Sequence, residues 1–375
     1  MNRPTAPRIG IVMPLAEQRG GAELALVHFL AGIEPSLRNV MHVCYLEDGP
    51  LVEWTAAQCF PTTVIRSGRL RQPLSWLRCT KNLVLWLTQN RIQVVMSWMA
   101  KGHLYAGPAA AVARVPAVWW QHGVPRNRGL DLAVTLLPAS RVLACSRTAA
   151  QAQRGIFGQR SEPRTIYPPV DLRRLSHVEE ARSAREELGL PRGKVIVGIV
   201  SRLQRWKGVH VFLEAASELL KEDPDLFFLV IGGPHVLEPD YAASLQRQRR
   251  RLHLEDRVHF SGQQTNATRW MAAMDIVVNA SFGEPFGMVI VEAMALGKPV
   301  IATRLGGPTE IITDGIDGLL VTPGSVTELV QAVRRLIDDP RLRDALGQAG
   351  RTRAQNYAVP RFVQEVTDAL REIAA

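Results

Sequence analysis

Cysteine is scarce. Cys44, Cys59, Cys79 and Cys145 are the only four in 375 residues, and none forms the short paired spacing that a zinc site or a redox dithiol requires. They read as reduced, mostly buried thiols of a cytosolic protein. Acidic pairs are scarce too. The one Asp-x-Asp, Asp223-Pro-Asp225, falls in a polar turn ahead of a strand, whereas a metal bridging a diphosphate needs such a pair in a cleft, so no metal site is expected. Long apolar runs are missing: none approaches the ~18 residues that span a bilayer. The polar start, Met1 to Pro7, lacks the character of a signal peptide. Short tandem repeats and low-complexity tracts are absent as well. With 46% hydrophobic and 21% charged residues, the composition excludes a disordered chain and fits an ordinary globular one.

What is present is length, and charge unevenly spread. A chain of 375 residues exceeds the size at which one core stops growing, so two domains are expected. Residues 1–172 hold 19 Lys and Arg against 9 Asp and Glu, while residues 173–375 hold 26 of each, so the whole net charge of +10 sits in the first half. Nucleic acid, an anionic membrane or a phosphorylated substrate each suits such a surface. Arg66, Arg69, Arg71, Arg78 and Lys81 crowd a stretch that also carries Trp76 and Trp86, a composition suited to peripheral contact with an anionic bilayer. The alternative is that Leu74, Leu77, Val84 and Leu85 pack this helix on a sheet with the charges facing water.

Strand-like runs recur at 8–14, 40–45, 63–65, 94–97, 117–120 and 141–144, and again at 195–200, 226–231, 258–261, 275–279, 299–302 and 318–321. Helical stretches separate most of them, which predicts two parallel sheets covered on both faces. Arg164-Thr-Ile-Tyr-Pro-Pro-Val-Asp171 reads as the linker, because two prolines favour an extended crossing. Residues 1–168 and 169–359 are the predicted domains.

Candidate ligand-binding groups gather at predicted strand ends. After the first strand, Gly20 and Gly21 form a turn into a helix, letting backbone approach a phosphate. His122 ends the strand Ala117–Trp120 within Trp119-Trp120-Gln121-His122-Gly123. Arg202 and Lys207 follow the strand Val195–Val200, where a guanidinium and an ammonium can reach one diphosphate. Gly233, in Gly232-Gly233-Pro234, and Gln264, in Gly262-Gln-Gln264, end two more strands and offer backbone for a flat base to lie against. Gly306-Gly307 opens a further helix after a strand and offers the phosphates more backbone donors. The chain is organised around Ser281–Gly297. There a Gly- and Pro-rich loop leads into a helix whose first N–H groups, those of Phe286, Gly287 and Met288, suit an electron-rich ligand. Glu284 precedes that helix and Glu292 lies inside it, two carboxylates able to accept hydrogen bonds from the hydroxyls of one elongated polyol.

The segment Glu284-Pro-Phe-Gly-Met-Val-Ile-Val-Glu292, followed by Ala-Met-Ala-Leu-Gly-Lys-Pro-Val-Ile-Ala302, resembles the signature of the family 4 retaining glycosyltransferases. The match runs over about twenty contiguous residues, far more specific than a lone glycine motif. Arg202 to Gly208, with its Arg-x-x-x-x-Lys-Gly pattern, and His122-Gly123 match further family positions. The resemblance implies an α/β fold of the GT-B type, two Rossmann-like domains facing across a central cleft. It implies a first domain for the acceptor and a second for the nucleotide-sugar donor, with the C-terminal helix 360–375 packing back on the first. Arg202 and Lys207 would hold the donor diphosphate, Glu284 and His122 the transferred sugar, Glu292 the ribose, and Gly233 and Gln264 the base; Ser146, at another strand end, would lie near the cleft.

The function so implied is transfer of a sugar, with retention, from a nucleotide-diphospho-sugar to an acceptor hydroxyl, without a metal or other cofactor. The acceptor is a glycan or a lipid-linked molecule in cell-surface glycan, polysaccharide or glycolipid assembly; nucleic acid is not a partner. The protein is expected in the cytoplasm, peripheral on the inner face of the membrane. A nucleotide-sugar epimerase of similar fold and a non-catalytic nucleotide-sugar binding protein are the competing readings. Sugar, nucleotide and linkage are not fixed by fold.

Overall fold

The structure, a computed structural model, describes residues 6–18, 20–68, 72–176 and 181–374. Of the residues singled out above, Arg69 and Arg71 lie outside these, as do residues 1–5 and Ala375. The chain divides into two compact units, residues 1–169 with 359–375, and residues 170–358. Among the described residues no helix is long and apolar enough to cross a membrane.

Among the described residues the first unit is built on seven parallel strands: β1 Ile9–Met13, β2 Met41–Tyr45, β3 Thr62–Val64, β4 Val94–Trp98, β5 Ala117–Gln121, β6 Arg141–Ala144 and β7 Arg164–Thr165. Their order is β3-β2-β1-β4-β5-β6-β7. Every residue of β1, β2, β4 and β5 is buried, as expected of parallel strands covered on both faces. The predicted linker is shorter than the sequence implies, because Arg164 and Thr165 pair with Leu143 and Ala144 as an edge strand. Val170 then bridges to Ala358, so the chain enters and leaves the second unit side by side.

The last helix, Val359–Ala374, belongs to the first unit. Its apolar stripe recurs at helical spacing as Phe362, Val366, Ala369 and Leu370, all buried. Phe362 packs 6.0 Å from the Phe29 ring and 5.1 Å from Trp120. Loss of a phenyl ring buried to this degree costs about 3–5 kcal/mol, which is what anchors the helix here.

The described residues of the second unit form six parallel strands: β8 Val195–Val200, β9 Leu226–Ile231, β10 Val258–Gly262, β11 Ile276–Asn279, β12 Val300–Thr303 and β13 Leu319–Val321. The order is β10-β9-β8-β11-β12-β13. The sequence direction reverses between β8 and β11, and in open parallel sheets the crevice outside the carboxyl ends of two such strands is where ligands bind. The helix Pro340–Ala354, not anticipated from the sequence, starts at an Asp339 cap whose carboxylate accepts from Leu342 N at 3.0 Å.

Candidate active site

The loops after β8 and β11 flank that reversal point, and Lys207 and Glu284 come from one each. Lys207 Nζ donates to Glu284 Oε2 at 2.5 Å, with only 13% and 10% of the two side chains exposed. Ser281 Oγ donates to the same oxygen at 3.0 Å. Ser281 is in turn fixed by Asn279 Oδ1, which accepts from its N–H, and by Thr303 Oγ1, which donates to its carbonyl at 2.6 Å. The Lys207 ammonium also lies 4.0 Å from the Trp206 ring centroid, close enough for a cation–π attraction. The Trp206 carbonyl accepts from Phe282 N at 2.7 Å, tying the two loops together.

Glycine is required where these loops touch. Gly208 has φ +71°, and a Cβ there would run into the Ala280 carbonyl. Gly306 has φ +75° and a Cβ there would stand 2.6 Å from the Glu284 carbonyl oxygen, the same oxygen that accepts from Gly307 N at 2.8 Å. Gly306 and Gly307 thus hold the Glu284 backbone.

Arg202 occupies the same loop as Lys207 but is exposed, its Nη1 3.5 Å from His235 Nε2. The loops after β8, β9 and β10 are joined by backbone: Leu203 N donates to Gly233 O, and Gly232 N to Gly262 O, both at 2.9 Å. Gln264, partly buried, donates from Nε2 to Ser261 O at 2.7 Å. Gly233, Gln264, Arg202, Lys207 and Glu284 are therefore all carried at the carboxyl end of one sheet.

The helix expected from Gly287 begins at Met288, Gly287 serving as its N-cap with φ +111°. Phe286 is 3% exposed and packs edge-on against Tyr357, while Met288 is partly exposed. Glu292 lies in that helix, Met288–Ala295. Burial pushes its carboxyl up to about 7, the charge of Arg174 opposing the shift.

Four residues of interest lie in the first unit. Gly20 precedes the helix Gly21–Gly32 as its N-cap, with its carbonyl accepting from Leu24 N at 3.3 Å. Gly21 is exposed. His122 follows β5, its ring 4.1 Å from Trp120 and 5.7 Å from Trp98 between centroids. Its Nε2 is buried without a hydrogen-bond partner among the described residues, and burial lowers the imidazole to about 3, so the ring is neutral at physiological pH. Ser146 is fully buried and its hydroxyl accepts from Ala149 N at 3.0 Å, capping the helix Arg147–Arg154. That capping bond accounts for the serine without a ligand.

Asp223 and Asp225 precede β9 at its amino end, opposite to these loops. Asp223 Oδ1 accepts from Asp225 N at 2.9 Å, and Asp225 stands 3.7 Å from Lys194. Sequence reasoning did not single out Ser281, Thr303 or Trp206. Their roles depend on contacts made after folding; the one sequence cue was Ser281, three residues ahead of Glu284.

Residues 20–174 match the profile of Glycosyltransferase Family 4 and residues 180–353 that of Glycosyl transferases group 1. D-inositol 3-phosphate glycosyltransferase 2 of Catenulispora acidiphila is 39% identical over 190 residues, which are 48% of this chain and 44% of that protein. D-inositol 3-phosphate glycosyltransferase of Nocardiopsis dassonvillei is 33% identical over 260 residues, 67% of this chain and 59% of its own. The match thus spans about half the length of these relatives. The solved structure of Anabaena HepE in complex with UDP and glucose is similar at TM-score 0.84 and 27% identity, covering 97% of this chain and 99% of that one; the same protein is also solved with UDP-glucose. With two Rossmann-like parallel-sheet units, the Glu284 to Glu292 segment and both profiles in agreement, the chain belongs to the family 4 glycosyltransferases of the GT-B fold.

Proposed function

We propose that this chain transfers a sugar from a nucleotide-diphospho-sugar to an acceptor hydroxyl, with retention at the anomeric carbon and without a metal. The observation that carries the reading is the convergence of Lys207 and Glu284 from the two loops flanking the strand reversal. A cation and a carboxylate side by side suit a ligand that is anionic at one end and rich in hydroxyls at the other. UDP-glucose bound to HepE makes a uridine diphospho-sugar the first donor to test.

In this reading the bond from the anomeric carbon to the β-phosphate oxygen breaks as the acceptor oxygen attacks from the same face. The acceptor proton passes to the departing phosphate oxygen. Lys207, Arg202 and the N–H groups of Phe286, Gly287 and Met288 stabilise the negative charge that grows on the diphosphate. Glu284 Oε2 already accepts from Lys207 and Ser281, and its other oxygen is assigned to the sugar hydroxyls. Glu292 accepts from the ribose diol, Gly233 and Gln264 border the base, and Gly20 and Gly21 border the acceptor side. His122, neutral, is assigned a hydrogen bond to the sugar. The acceptor is a glycan or lipid-linked hydroxyl in surface-glycan assembly on the cytoplasmic side of the membrane.

The test is incubation with a panel of nucleotide-sugars, with and without lipid and glycan acceptors, monitored by NMR. Acceptor-dependent release of nucleoside diphosphate with a product of unchanged anomeric configuration is expected. Interconversion of the sugar without release would assign an epimerase instead, and binding without any conversion a sensor.

A further inference from the structure

The helix Pro73–Gln89 buries Cys79, Thr80, Leu83, Trp86 and Leu87. The tryptophans expected to mark a membrane-facing surface do not: Trp86 is 5% exposed, and Trp76 donates its indole N–H to Leu104 O at 3.2 Å. Three leucines expected to pack against the sheet instead face outward, Leu74 at 77% exposure, Leu77 at 56% and Leu85 at 45%. Arg78 and Lys81 are exposed on the same helix. At about 100° per residue, Leu74, Leu77, Arg78, Lys81 and Leu85 fall within roughly 100° of arc, opposite the buried face. The stripe is apolar and cationic at once.

We propose that this stripe docks the protein on an anionic lipid bilayer, the helix lying in the plane of the interface. Charge complementarity selects that occupant. Between Glu53 and Asp131 the chain contains ten Lys and Arg and no Asp or Glu, so nothing acidic within that stretch opposes an anionic surface. Arg66, also within it, is already paired with Asp48 at 3.0 Å, which leaves Arg78 and Lys81 as the cations interleaved with leucine. Solvated leucines beside them favour lipid over nucleic acid, because phosphate contacts alone leave apolar side chains in water, whereas an interface accepts both. A helix so placed inserts its leucines at the level of the acyl chains while the Arg78 and Lys81 stems extend to the headgroups. This surface goes beyond the proposed transfer and does not depend on it.

Co-sedimentation with vesicles tests it, using phosphatidylcholine alone and phosphatidylcholine mixed with phosphatidylglycerol, at low and moderate salt. The unmodified protein is expected to sediment with the anionic vesicles and not with the neutral ones. Arg78→Glu with Lys81→Glu is expected to weaken binding about tenfold or more. Leu74→Ser, Leu77→Ser and Leu85→Ser together are expected to retain attraction at low salt and lose the part that survives moderate salt. Because the replaced side chains are exposed, both variants are expected to melt near the unmodified protein. Equal, negligible binding to the two vesicle types at low salt would overturn the proposal, as would undiminished binding by the charge-reversed variant. Release from vesicles by short RNA, with the leucine variant binding as the unmodified protein does, would assign the face to nucleic acid.

Discussion

Lys207 and Glu284, 77 positions apart in sequence, meet at 2.5 Å where two loops face each other at the centre of the second sheet. With only 13% and 10% of these side chains exposed, removing one leaves the other charge poorly solvated. Lys207→Met and Glu284→Leu are each expected to lower the unfolding free energy by up to about 3 kcal/mol, and the double variant by less than the sum. Denaturant unfolding of the four proteins checks this. Strict additivity would mean that the pair contributes no coupling.

Much of this was legible in the sequence, for identifiable reasons. Strands buried on both faces are written as short apolar runs, so β1, β8 and β11 could be placed from the runs at 8–14, 195–200 and 275–279. Side chains whose place depends on long-range packing could not. Trp86 and Leu74 share one helix and similar hydrophobicity, yet one is buried and the other exposed, and only the partner surface decides which. The edge strand Arg164–Thr165 is two residues long, too short for periodicity to register. Arg202, Lys207 and Glu284 were each readable as ligand groups, but the ion pair between two of them arises from the strand order.

Glu292 should make nucleotide-sugar binding depend on pH. Its carboxyl is raised from 4.5 to about 7, so the folded state holds an extra proton between those values and stability falls as pH rises through that window. Ionisation also frees the carboxylate to accept from a ribose diol. Affinity for UDP-glucose is expected to rise from about pH 6 to about pH 8, and the rise to vanish in Glu292→Gln. Thermal melts of that variant should decline less over the same range. An unchanged slope would remove Glu292 from the ribose.

His122 and His103 act in the opposite sense. Burial lowers His122 from 6.5 to about 3 and His103 to about 4. The unfolded chain therefore binds more protons below pH 6.5, and stability present above that pH is lost as pH falls toward the folded values. His122→Asn is expected to flatten the decline in melting temperature under acid, even if it lowers the plateau at neutral pH. A decline as steep as in the unmodified protein would show that the imidazole ionises freely when folded.

Turnover is expected to persist in excess chelator. Asp223 and Asp225 belong to a turn at the amino end of β9, away from the loops that carry Lys207 and Glu284. Complete loss restored by a divalent ion would contradict this.

Binding of the nucleoside diphosphate tests the central claim most directly. Calorimetric titration of UDP, GDP and ADP into the unmodified protein, Arg202→Ala and Lys207→Ala reads the diphosphate seat without needing the acceptor. At least one nucleotide is expected to bind, with roughly tenfold or greater weakening in each variant, since each loses a charge-assisted contact worth about 1.5–3 kcal/mol. If Lys207→Ala, folded by circular dichroism, binds that nucleotide as tightly as the unmodified protein does, the diphosphate does not sit at the β8 loop and the account fails.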